Sequence, residues 1–135
     1  METAAEFIPI VFAVLGAGLG LGALLSPQWA SRLVRLVADP DRPEGYAEFR
    51  ATFGGVFFFL HAAFLAASFL GAGVIGAAGV LSFGWAGAAA GRMLSMMLDG
   101  EDVRTRHNFI SIGVELAAAA AFALPVISFV NSAAA

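Results

Sequence analysis

The sequence has no cysteine, no lysine and only two histidines, and only 13% of its 135 residues are charged. Without cysteine there is neither a disulfide framework nor a thiolate nucleophile. Two histidines leave a protein-only metal site unexpected, and no cofactor is expected either. A soluble domain is about a quarter charged, so water is not the main solvent of this chain. The formal net charge is −3 and the arginines are interleaved with carboxylates, which argues against nucleic acid as a partner. The N-terminus lacks the positive charge of a secretory signal, carrying Glu2 and Glu6 instead, so the first apolar stretch is expected to be retained.

What is present is hydrocarbon: 60% of the residues are hydrophobic. A spanning helix needs about 20 mostly apolar residues, which leaves room for about four spans and their loops. The expected fold is all-α, a single integral membrane bundle of four transmembrane helices. The first span is placed at about residues 7–25. Gly16, Gly18, Gly20 and Gly22 lie in it at overlapping GxxxG spacings, which let helix backbones approach closely and mark a packing face.

After it, Ser26-Pro27 reads as a cap and first helical position of a short helix. Trp29, Leu33, Leu36 and Val37 share one face, and Gln28, Ser31, Arg32 and Arg35 the other, as in an amphipathic helix lying among lipid head groups. Residues 51–91 are too long and too apolar for one crossing, so they form a hairpin turning at Gly71-Ala72-Gly73, with spans at about 51–70 and 74–97. The last span is expected at about 109–130, with a bend at Pro125.

All seven arginines fall in the first and third connections or at the span ends beside them. The positive-inside rule puts those connections in the cytoplasm, leaving both termini outward, which would be periplasmic were the membrane a bacterial inner one.

Ionisable groups inside spans cost about 2.5–3.5 kcal/mol on insertion scales and need an explanation. Arg50, His61, Arg92 and Glu115 are such groups. At 1.5 Å per residue, Glu115 lies about 12 Å into the fourth span and Arg92 about 10 Å into the third from the same side, so a buried ion pair is expected. Arg50, at the mouth of the second span, could reach the same level. Arg50, Gly54 and His61 share a face of the second span, and His107, Ser111 and Glu115 are i, i+4 neighbours on the fourth with Asn108 beside them. These residues would line a polar pocket open to the cytoplasm. The blander reading has them only holding helices in register, with His61 donating to a backbone carbonyl.

Glu48-Phe49-Arg50-Ala51-Thr52-Phe53-Gly54-Gly55, the later Gly91-Arg92 and Asp99-Gly100 carry a resemblance. The chain resembles the bacterial membrane proteins of domain of unknown function family 4345, which is DoxX-like in its four-helix layout. The resemblance implies matching positions at Arg50, Gly54, Gly55, Arg92, Asp99, Gly100 and Glu115, and an architecture rather than a reaction.

Two functions compete. One is a non-enzymatic accessory or scaffold subunit packed against a larger membrane complex through its glycine faces. The other is a binder or carrier of a lipid-like molecule, a quinone or carotenoid included, with its head group on Arg50 and Arg92 and its tail along the phenylalanine-rich second span. An enzyme using Glu115 and His61 as acid and base is disfavoured, because neither has a nucleophile or metal set beside it. Four short helices without an inverted repeat also argue against a transporter. Membrane lipids are partners under either reading.

Overall fold

A computed structural model describes the backbone of residues 2–42 and 44–135, and the side chains of residues 6–42 and 44–135. Among these the fold is all-α, with no strand. Helix α1 covers Glu2–Leu25, α2 Pro27–Leu33, α3 Gly45–Phe49, α4 Phe57–Leu70, α5 Val74–Leu98 and α6 Arg106–Ala133. A π-helical segment, Arg50–Val56, joins α3 to α4, and a 3₁₀ turn, Glu101–Val103, precedes α6. Four helical rods are long and apolar enough to cross a membrane: Glu6–Leu25, Gly45–Leu70, Val74–Leu98 and Arg106–Ala133. The chain divides into two units, residues 10–72 and residues 1–9 with 73–135.

In the first unit, α1 comes against α4 where glycines replace side chains. A methyl at Gly20 would lie 2.5 Å from the Phe58 nitrogen, and one at Gly16 would overlap the His61 ring. At the other end of α1, a methyl at Gly22 would meet the Trp29 ring at 2.7 Å. Ala23 of α1, Ala30 of α2 and Phe49 of α3 form a small buried cluster there. The second rod begins at Gly45, ahead of the apolar run, because hydropathy marks only the apolar part of a helix and not the polar turns that precede it.

Helix α2 departs from the sequence reading in three ways, the last being that Leu36 and Val37 lie beyond its end. Ser26 holds the N-cap position but its side chain makes no cap bond. Ser31, assigned to the polar face, is 1% exposed and donates to the Gln28 carbonyl at 3.1 Å. The helix stops at Leu33 because Arg35 turns left-handed, with φ 59°. Arg35 N–H then donates to Arg32 and Leu36 N–H to Ser31, the paired bonds of a Schellman ending. Glycine usually holds that position, since a side chain there costs about 1–2 kcal/mol. Arg35→Gly removes that cost but adds backbone entropy worth about 0.5–1 kcal/mol, so the variant is expected to unfold at slightly higher temperature. A fall in the melting temperature, followed by circular dichroism in detergent, would show that the Arg35 side chain itself holds the turn.

In the second unit, α5 and α6 pack along their lengths. Their buried positions recur at helical spacing: Ala78, Leu81, Ala89 and Met96 on α5, and Glu115, Ala118, Ala119 and Phe122 on α6. The small alanines allow close approach, and Ser82 spans the gap by donating to the Ala119 carbonyl at 2.9 Å. Helix α6 continues through Pro125 to Ala133. Gly71 and Gly73 have φ 69° and 76°, so the two residues flanking Ala72 supply the left-handed backbone that the turn needs.

Candidate functional site

The strongest polar arrangement is built on α5 and α6. Arg92 lies on the same inward stripe of α5 as Ala89 and Met96, and Glu115 heads the inward stripe of α6, so helix packing alone brings them face to face. Arg92 Nη2 donates to Glu115 Oε1 at 2.7 Å, and Nε donates to both carboxylate oxygens at 3.1 and 3.2 Å. Glu115 is 6% exposed. The Arg92 side chain is one-third exposed. Its Nη1 donates to Asn108 Oδ1 at 3.1 Å, so all three guanidinium nitrogens are engaged by this chain.

Asn108 connects that pair to the loop before α6. Its Nδ2 donates to the Val103 carbonyl at 2.6 Å, and its N–H donates to Thr105 Oγ1, the N-cap of α6, at 3.3 Å. Arg104 Nε donates to the Met96 carbonyl at 2.9 Å, satisfying an otherwise open carbonyl in the last turn of α5. Gly100 has φ 96° and ψ −176°, a combination essentially restricted to glycine. Asp99 Oδ2 accepts from Ser95 Oγ at 2.6 Å. Asp99-Gly100 is therefore a helix-ending device. Ser111 and His107 are half-buried on the same helix as Glu115 and take no part in the pair.

In the first unit, Arg50 opens the π-helix and its Nη1 donates to the Leu24 carbonyl. That carbonyl belongs to the open C-terminal turn of α1, where a cation is also favoured by the helix dipole. Gly54 is buried, and a methyl there would lie 3.0 Å from Leu24 N. Gly55 is less constrained, since a methyl would meet only the Arg50 carbonyl at 3.6 Å. His61 is 1% exposed, and its Nδ1 lies 2.7 Å from the Phe57 carbonyl. A carbonyl only accepts, so Nδ1 carries the proton. The His61 ring also lies against Phe57, tilted by 49° with the ring centres 4.4 Å apart.

Of the seven residues that sequence reasoning singled out, Arg50, Gly54 and His61 lie against the C-terminal end and middle of α1 with Gly55 beside Arg50, and Arg92 and Glu115 pair between α5 and α6 with Ser111 outside the pair. Sequence reasoning missed the π-helix and the roles of Arg104 and Thr105. The Thr105-x-x-Asn108 spacing, a cap followed by a polar side chain on the third helical residue, was the available signal. Among the described residues no group of three His, Asp or Glu side chains is placed to hold a metal ion.

No curated protein and no solved structure matches the chain. The family described as Domain of unknown function (DUF4345) matches residues 4–125. With four membrane-length apolar helices and this match over nearly its whole length, the chain belongs to the DUF4345 family.

Proposed function

We propose that the protein is a non-enzymatic accessory subunit of a bacterial inner membrane, docked through α5 against a helix of another membrane protein. The carrying observation is the outer face of α5. Gly76, Gly84, Gly87 and Gly91 fall within a stripe about 80° wide at 100° per residue, with Val80 at its middle and Leu94 in line with Gly76, on the side of α5 away from the stripe that packs on α6. A methyl at any of the four would find nothing within 4 Å, and Val80 and Leu94 are 57% and 54% exposed. Small residues in a row lower the cost of backbone contact between helices in lipid. The motif polar groups, by this reading, are internal fasteners. The arginine-bearing connections lie in the cytoplasm and both termini face outward.

The carrier reading, with an anionic head group on Arg50 and Arg92, ranks second. Such a head group would have to displace Glu115 and Asn108 from Arg92.

Gly84→Leu and Gly87→Leu test the subunit reading. In mild detergent the wild-type protein is expected to migrate on native gels in a stoichiometric complex larger than itself. Each variant should accumulate normally and migrate alone, whereas Gly113→Ala, on α6 and also in open space, should stay in the complex. Recovery of the wild-type protein only as a free monomer would overturn the proposal.

A further inference from the structure

The polar connection after α2 and the start of the second rod border an open-sided cavity of about 240 Å³, and all of its lining belongs to one unit. Leu36, Val37 and Ala38 form one wall, and Phe49 and Phe53, stacked at 4.7 Å, form the other. Two polar side chains at the lining, Tyr46 and Glu48, have no hydrogen bond or ion pair from their side chains among the described residues. Ser31 and Thr52 also line it, but each hydroxyl already donates to a backbone carbonyl, Gln28 and Glu48 respectively. Thr52 is exposed and can still accept, whereas Ser31 is buried. No cationic side chain lines the cavity.

That balance selects a ligand. The walls suit a hydrocarbon segment, and the polar rim offers a carboxylate and two accessible hydroxyls, Tyr46 and Thr52, the second of which can only accept. An anionic head would meet Glu48 without a compensating cation. An ammonium would instead find a charged acceptor in Glu48, with Tyr46 and Thr52 able to accept further bonds. The surroundings place the cavity at head-group depth. Trp29, Leu36 and Val37 are 44%, 52% and 68% exposed beside the exposed Arg32 and Arg35, the mixture of an interfacial segment.

We infer that this cavity is a binding site for a membrane lipid whose head group carries an ammonium, held at Glu48 and Tyr46 with an apolar portion between Leu36 and the Phe49–Phe53 pair. The π-helix supplies Thr52 and Phe53 to this lining. Widened turns of this kind are frequent at functional sites.

The test is native mass spectrometry of the purified protein, delipidated and then offered phosphatidylethanolamine and phosphatidylglycerol of matched chains at equal concentration. Retention of the ethanolamine lipid is expected to exceed that of the glycerol lipid about fivefold or more. Glu48→Gln should remove most of that preference, and Ala38→Phe, which fills the cavity, should lower retention of the ethanolamine lipid itself. Tyr46→Phe provides a variant that leaves the volume unchanged and should weaken retention by a smaller factor. Helical circular dichroism and a single gel-filtration peak establish that each variant is folded. Equal retention of both lipids by the wild-type protein, or a preference untouched by Glu48→Gln in a folded variant, would overturn the inference. None of these outcomes depends on the glycine face of α5, so docking and lipid binding fail or stand separately.

Discussion

Glu115→Ala is expected to destabilise the protein by about 3 kcal/mol. Removing one member of a buried ion pair costs about 3–5 kcal/mol because the remaining charge is left without its partner. The lower figure applies because the Arg92 side chain is one-third exposed and keeps its bond to Asn108. Glu115→Gln should cost less, since the amide oxygen still accepts from the guanidinium. Replacing both partners, Arg92→Met with Glu115→Leu, should return stability to within about 1 kcal/mol of wild type, because apolar pairs of similar volume often match a buried ion pair. Unfolding titrations in mixed detergent micelles provide the comparison. A double variant as unstable as Glu115→Ala would mean that the two charges serve more than each other. A Glu115→Gln protein that is stable but functionless would place chemistry at the carboxylate.

The second large effect concerns Gly20. A side chain there would collide with the backbone of Phe58, at 2.5 Å from its nitrogen and 2.7 Å from its Cα, and backbone cannot rotate away as a side chain can. Gly20→Leu is therefore expected to force α1 and α4 apart and to cost about 3 kcal/mol, at the upper end of overpacking changes. Gly18→Ala is its control. A methyl there meets nothing within 4 Å, and alanine gains about 0.5–1 kcal/mol over glycine inside a helix. The pair of variants separates a glycine that makes room from one that merely tolerates it. Equal melting temperatures for the two would show that α1 and α4 do not approach through Gly20.

These two regions also show what a sequence can disclose. Four apolar rods and the face-to-face depth of Arg92 and Glu115 follow from counting residues, because rise per residue in a helix is fixed and lipid tolerates no unexplained charge. The glycines of α1 could be recognised as a packing face, but which of them is filled by which neighbour depends on helix rotation. Gly16 faces His61, Gly20 faces Phe58, and Gly18, between them, faces nothing within 4 Å. Hydrogen bonds that cross many residues were less accessible still. Arg50 reaches back to Leu24, a contact fixed by where the second rod crosses the end of α1 rather than by any local spacing. Ser31 was misassigned because polarity was taken to mean exposure, whereas a hydroxyl bonded to the carbonyl three residues earlier can be buried at little cost.

The π-helix at Arg50–Val56 bears on how the chain can change length. A π turn holds one more residue than an α turn, so the segment carries an extra residue between α3 and α4 while keeping the two in phase. Losing one residue there and relaxing to ordinary α-helix would leave the flanking helices aimed as they are, whereas losing one from the regular turns of α4 would rotate everything before it by about 100°. In that second case Arg50 would point away from Leu24, and Tyr46 and Glu48 away from the cavity they line. A change of one residue is thus absorbed by the loop between α2 and α3 or by this wide turn, but in α4 the residue count itself sets the aim of the side chains that precede it.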